Sequence, residues 1–202
     1  MHLRMKTMRL RHAIVKLLAP KLYKDMVELE SLISGVPRPM TMFLKQHFKT
    51  GDLVGLEIGV GAGENALNMT QELPVKKLFL IDPYVPYLEH GRQLNYQGKD
   101  RTAKDKLGNF NETVFIRKPS NEAHDDITEP LDFIYIDGNH NYINVKQDIE
   151  NYYPLLKKGG VIGGHDYLHR KVLEVCQAVD EFRQQHSELE FHNVFPDWWI
   201  IK

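Results

Sequence analysis

Apolar positions along the chain fall into short runs, and four of the runs end on or beside an acid. Leu53 to Ile58 carries Glu57. Leu78 to Ile81 ends on Asp82, Leu131 to Ile136 ends on Asp137, and Val161 to Gly164 delivers His165 and Asp166. Runs of four to six residues with few polar interruptions predict strands buried on both faces, as in a parallel sheet. Thr113 to Arg117 reads as a further strand. Between the runs the apolar spacing changes to helical steps. These cover Glu64 to Leu73, a segment from Asp100 (a candidate cap) to Leu107, and Val145-Ile149-Tyr152-Tyr153, which Lys157 to Gly160 is expected to stop. Val172, Val175, Val179 and Phe182 step along one more helix. The chain then ends in two apolar runs, Leu189 to Val194 and Trp198 to Ile201, around Phe195-Pro196-Asp197, a hairpin signal. Strands alternating with helices predict an α/β domain with a parallel sheet, and functional groups collect beyond the carboxyl ends of such strands.

Two stretches are less regular. Pro83 to Lys99, with two prolines, two glycines and three tyrosines, predicts an irregular loop over the site. The first fifty residues form a separate segment. Apolar steps at Leu10, Ile14 and Leu17 and at Leu22, Met26, Leu29 and Ile33 predict two helices broken at Pro20. Seven basic residues precede the first acid, Asp25. Such helices pack on the domain or on a second subunit, giving a homodimer, or touch an anionic membrane surface. Val36 to Met42 reads as a proline-broken connector and Phe43 to Lys49 as a short helix. The domain reading is therefore a helical extension over 1–50 and a catalytic-type domain over 51–202.

Composition narrows the classes. The 202 residues carry a net charge of −1, so no global basic field argues for nucleic acid. Cys176 is the only cysteine, so no intrachain disulfide forms, and its helical context suits a small apolar residue. No apolar run is long enough to span a bilayer and no signal-like segment opens the chain, so a cytoplasmic protein is expected.

The candidate chemistry starts at Gly59, Gly61 and Gly63, alternate glycines that follow Glu57 and open a helix. A strand, a glycine turn and a helix start let a ligand approach the backbone. A strict G-x-G-x-x-G fails here, although the form allowing alanine at the sixth place is met from Gly61. The Gly-Lys-Ser/Thr ending of a P-loop is absent. Asp82 lies about twenty residues beyond the turn, where an acid binds ribose hydroxyls in dinucleotide sites.

The alternate-glycine turn with an acid two residues before it resembles motif I of the class I S-adenosylmethionine-dependent methyltransferases. The block from Leu131 to Tyr167 narrows the resemblance: I-D-G-N-H-N-Y, P-L-L-K-K-G-G-V-I and G-G-H-D-Y are similar to the family of methyltransferase domain 24, related to sugar, macrolide and catechol O-methyltransferases. The likeness covers about Gly51 to Lys202. It implies a Rossmann-like seven-stranded sheet with the last strand antiparallel, and methyl transfer to a hydroxyl of a small molecule or sugar. It implies S-adenosyl-L-methionine held by Glu57, Gly59, Gly61, Gly63, Asp82, Ser120 and Asp137. Relatives that bind a divalent metal place its ligands at the positions of Asp137, His165 and Asp166, which leaves three readings here: Mg²⁺ on Asp137 and Asp166 with waters, Mn²⁺ using His165, or no metal. The resemblance also implies His140 as the base beside Asp137. His165 departs from the oxygen ligand usual there; imidazole suits a softer ion than Mg²⁺. No Asn/Asp-Pro-Pro-aromatic tetrad occurs, which argues against the amino-methylating enzymes that use it. Tyr84, Tyr87, Tyr96, Tyr142 and Tyr167 are candidates to flank the site. A non-catalytic cofactor-binding or interaction protein on the same fold, and a nicotinamide oxidoreductase, stand as alternatives.

Overall fold

The computed structural model describes residues 37–49, 51–167 and 173–202. The predicted N-terminal helices, with their dimer and membrane readings, and Val172 lie outside the described residues. The first described helix, α1 (Pro39–His47), begins four residues before the expected Phe43. Pro39 has no N–H to lose at a helix start and its φ suits the first turn, so the expected connector is a helix opening.

The strands are β1 (Leu53–Ile58), β2 (Val75–Ile81), β3 (Tyr87–Glu89), β4 (Arg92–Leu94), β5 (Thr113–Ile116), β6 (Leu131–Ile136), β7 (Leu156–Gly164), β8 (Glu190–Val194) and β9 (Asp197–Ile201). The later helices are α2 (Glu64–Glu72), α3 (Lys99–Leu107), α4 (Ser120–Ala123), α5 (Tyr142–Tyr152) and α6 (Leu173–Gln185). Among the described residues, seven strands form one sheet in the order β5-β2-β1-β6-β7-β9-β8. The first five run parallel; β9 is antiparallel to both β7 and β8, and these last two strands form the predicted hairpin.

Every residue of β1 is buried, which requires cover on both faces. One face packs Leu56, Ile134, Ile162 and Trp198 against α5 and α6 through Ile149, Val179 and Phe182. The other packs Leu78, Phe133, Tyr135 and Trp199 against Met40 and Leu44 of α1, Met69 of α2 and Leu107 of α3. Trp198 and Trp199 thus serve opposite faces of the core, as alternation along a strand demands. Cys176 is half-buried against the first cluster.

Three expected boundaries move. The stretch Lys157 to Gly160 does not stop α5 but lies inside β7; the helix ends at Tyr152 because Pro154 follows in a 3₁₀ turn and cannot continue the ladder. Asp100 does not cap α3: Gly98 holds that place, and Asp100 sits in the first turn paired to Arg117 at 3.1 Å. The expected loop over 83–99 contains the hairpin β3–β4, turned by His90 and Gly91 with φ of 49° and 76°. Two consecutive positive φ values are the signature of a tight hairpin turn whose twist matches its strands. No helix among the described residues is long and apolar enough to cross a membrane.

Candidate active site

The sheet order sends the chain outward from β1 through β2 to β5 and then back to β6 on β1's other side. Loops leaving β1 and β6 therefore diverge, opening a crevice at their carboxyl ends. A cavity of about 400 Å³ lies there, lined by Glu57, Gly59, Gly61, Asp82, Ser120, Asp137 and His140 among others.

Glu57 is almost fully buried. Asn65 Nδ2, at the start of α2, donates to its Oε1 at 2.9 Å, while Oε2 is buried without a hydrogen-bond partner. Burial pushes the carboxyl up to about 8, with the nearby Asp137 adding to the rise and the Asn65 bond opposing it. A carboxylate in this condition lacks a cation or a donor. The two glycines differ. Gly59 has φ +86°, and a Cβ there would lie 2.0 Å from the Asp137 carbonyl oxygen, so β1 and β6 can close at this point only over glycine. Gly61 has φ +54°, and a Cβ there would meet only Tyr96 Cε1 at 3.9 Å, leaving its backbone open to a ligand. Gly61 N–H donates to Asp82 Oδ2 at 2.9 Å and Tyr84 N–H to Oδ1 at 2.8 Å, so Asp82 ties the ends of β1 and β2 while facing the cavity. Burial raises its carboxyl, against these backbone bonds.

The acids at the ends of β6 and β7 meet two imidazoles. His140 Nε2 lies 2.9 Å from Asp166 Oδ2 and 3.4 Å from Asp137 Oδ1. On the ring's other side, Glu89 Oε1 accepts from both the His140 backbone N–H and Nδ1, each at 2.9 Å. Burial alone would lower the imidazole, but bonds to Asp137, Asp166 and Glu89 push it up to about 12. His165 Nδ1 stands 3.2 Å from Asp166 Oδ2 and 3.9 Å from Asp137 Oδ1, and these acids raise it as well. Burial would raise Asp166, yet the two imidazoles hold it well below the usual carboxylate range. Asp166 also has φ +65°, a costly backbone for a non-glycine residue and one that clusters at functional sites. Ligand atoms of Asp137, His140 and Asp166 all lie within 4.8 Å of one another, a spacing that could hold a metal ion.

The structure thus brings Glu57, Gly59, Gly61, Asp82, Ser120, Asp137 and His140 to one cavity and sets His165 and Asp166 against Asp137 and His140. Gly63 is not brought there. It opens α2 and faces α3, where a Cβ would meet Ala103 Cα at 3.1 Å, so it serves helix packing. Ser120 opens α4 and its carbonyl accepts from Tyr152 OH at 2.6 Å. Of the candidate tyrosines, Tyr87 and Tyr96 stack at 5.7 Å and line the cavity. Tyr142 and Tyr167 instead donate to Glu181 and Asp180 on α6. Sequence reasoning missed Glu89, Asn65 and Arg38. Arg38 lines the cavity from the segment just before α1, and Glu89 reaches His140 across 51 residues, a contact no local pattern encodes.

A family model described as a methyltransferase domain, of the type numbered 24, matches residues 56–167, more than half of the chain. The chain belongs to this family of class I S-adenosylmethionine-dependent methyltransferases. It is 32% identical over 143 residues to the uncharacterized protein R132 of Acanthamoeba polyphaga mimivirus, covering 68% of this chain and 62% of that protein. The match therefore spans less than two thirds of that relative's length. Among solved structures, the O-methyltransferase NovP superposes with a TM-score of 0.63 at 15% identity, over 81% of this chain and 79% of NovP. The MycE methyltransferase of the mycinamycin biosynthetic pathway, solved with Mg and S-adenosylhomocysteine, gives 0.55 at 16% identity, over 79% of this chain and 48% of MycE. At these identities the likeness establishes the fold.

Proposed function

We propose that the protein transfers the methyl group of S-adenosylmethionine to a hydroxyl of a small molecule or sugar, with a divalent cation at the strand ends. One observation carries the reading: strand-end acids Glu57, Asp82 and Asp137 open into one cavity together with His140. The residues fit the cofactor. Glu57 offers an unpartnered buried oxygen to an ammonium group, Gly61 leaves its backbone approachable, and Asp82 stands at the end of β2 for ribose hydroxyls. When bound, the cofactor supplies an electrophilic methyl on a sulfonium, so the chain's task is proximity and alignment.

The donor set also fits a cation. Asp137 and Asp166 supply two carboxylates, with His140 within metal-holding spacing of both and His165 beside them, a mixed oxygen and nitrogen set that suits Mn²⁺ as well as Mg²⁺. Bound there, a cation would acidify an acceptor hydroxyl and cancel the field that holds a proton on His140. Glu89 fixes the His140 ring through Nδ1, so Nε2 is the atom that faces Asp137 and would take the hydroxyl proton.

Calorimetry with S-adenosylhomocysteine, with and without Mn²⁺ or Mg²⁺, together with methyl transfer to a panel of catechols and sugars, tests the reading. Saturable cofactor binding and metal-dependent turnover are expected. His165→Ala should weaken metal binding, whereas His140→Ala should keep cofactor binding and lose turnover. Full turnover in purified His140→Ala removes the base, and absence of cofactor binding removes the whole reading.

A further inference from the structure

Arg38 stands between two prolines, Pro37 and Pro39. Its backbone is held at φ −57° and ψ 147°, the extended geometry that a following proline favours. Its carbonyl accepts from Met42 N–H at 3.0 Å, and the next residue but one, Met40, donates its N–H to the buried Asp197 at 3.0 Å. The side chain therefore leaves a fixed anchor and lines the cavity that Glu57 also lines.

The guanidinium is surrounded by acids and paired to none of them. Among the described residues it makes no ion pair. Asp197, the acid bonded to its own segment, is already engaged: Oδ2 by Met40 N–H and Oδ1 by Tyr135 OH at 2.9 Å. Glu57 gives Oε1 to Asn65. Burial works against the charge, but the field of Tyr135, Asp137, Asp197 and Glu57 outweighs it and raises the guanidinium. A half-buried guanidinium with five free donors, carried on an anchored backbone, is built for a planar anion. Across the same cavity Glu57 presents a buried oxygen with no partner. The cavity thus offers an unpaired cation and an unpartnered carboxylate oxygen, which is the complement of an amino-acid zwitterion.

We infer that Arg38 binds the carboxylate of the cofactor's amino-acid end while Glu57 takes its ammonium group. The inference rests on the cofactor reading above and adds the residue that recognises the anionic half. It assigns a binding role to the segment before α1, upstream of the glycine turn.

The test is a calorimetric comparison of three probes on the full chain: S-adenosylhomocysteine, its analogue lacking the carboxylate, and 5′-methylthioadenosine, which lacks the whole amino-acid end. The intact protein should prefer S-adenosylhomocysteine over the decarboxylated analogue by about tenfold or more, the weight of a charge-assisted bond. Arg38→Met should lose most of that preference and keep its affinity for 5′-methylthioadenosine within about twofold, while Arg38→Lys should recover part of it. Equal binding of the first two probes by the intact protein overturns the inference, and needs no variant to fold. Arg38→Met with its preference intact overturns it as well; if acceptor KM rises instead, the guanidinium serves the acceptor. If the intact protein binds none of the three probes, the cofactor reading itself has failed.

Discussion

Gly59 and Gly61 look interchangeable in sequence, yet their surroundings give them different tasks. An alanine at Gly59 drives its Cβ into the Asp137 carbonyl, backbone against backbone, with no side chain able to yield. Gly59→Ala should therefore fail to give a stable fold, read as loss of soluble protein or of the cooperative thermal transition. An alanine at Gly61 has space and carries only the cost of a left-handed backbone, about 1–2 kcal/mol. Gly61→Ala should fold and lose cofactor affinity, because its methyl occupies the open approach; unchanged calorimetric binding would contradict this. A second residue reports through pH. Asp148 on α5 is buried with Oδ1 unpartnered, and burial pushes it up to about 7 from 3.8, the Ser120 hydroxyl recovering only part. The folded state thus holds this proton more tightly than the unfolded chain. Its contribution is full below about pH 4 and falls as pH rises to about 7, at up to about 1.4 kcal/mol per pH unit. Asp148→Asn removes that fall. The melting temperature of the variant minus that of the parent should grow between pH 4 and 7 and level off above; a constant difference would refute it.

At the scale of elements, what could be read in advance follows how local the cause is. The buried strands, the glycine turn and the terminal hairpin each rest on residues within about a dozen positions, and all appeared in the sequence pattern. The hairpin β3–β4 did not, because its strands have three residues each and their partners lie far along the chain. Glu89 accepts from His140, His90 N–H donates to Asn141 Oδ1 at 3.2 Å, and Asn139 and Asn141 both donate to the Leu88 carbonyl. An isolated two-stranded hairpin is marginal in water, so these bonds are what keep it formed. In the same way the acids Asp137 and Asp166 were legible as strand ends, whereas the contacts that clamp His140 between them and Glu89 were not. Glu89→Ala removes the central bonds that hold the β3–β4 hairpin and leaves the large sheet alone. Hydrogen exchange at amides of residues 87–94 should accelerate severalfold while amides of β1 and β6 keep their protection. Equal protection across both groups would show that the asparagines suffice.

At the scale of the molecule, the described residues from Pro37 to Lys202 form one compact unit. Its cavity draws on the ends of β1, β2 and β6, the segment that carries the β3–β4 hairpin and the segment before α1. A ligand spanning that cavity contacts elements from most of the unit, so it stabilises the folded state as a whole and has no counterpart in the unfolded chain. Linkage then gives about 2.7 kcal/mol at a free ligand concentration of one hundred times Kd. For a domain of this size each kcal/mol moves the midpoint by roughly 2–4 °C. S-adenosylhomocysteine at that excess should raise the melting temperature by about 5–10 °C, and the rise should grow with the logarithm of concentration. NAD should not move it. The acid at the end of β2 would suit either cofactor, but the features that set this crevice apart are an unpartnered Glu57 oxygen and an unpaired Arg38. Those match an amino-acid end, which NAD lacks. A shift with NAD and none with S-adenosylhomocysteine would mean that the shared strand-end acid, and not the Glu57 corner, governs what this fold binds.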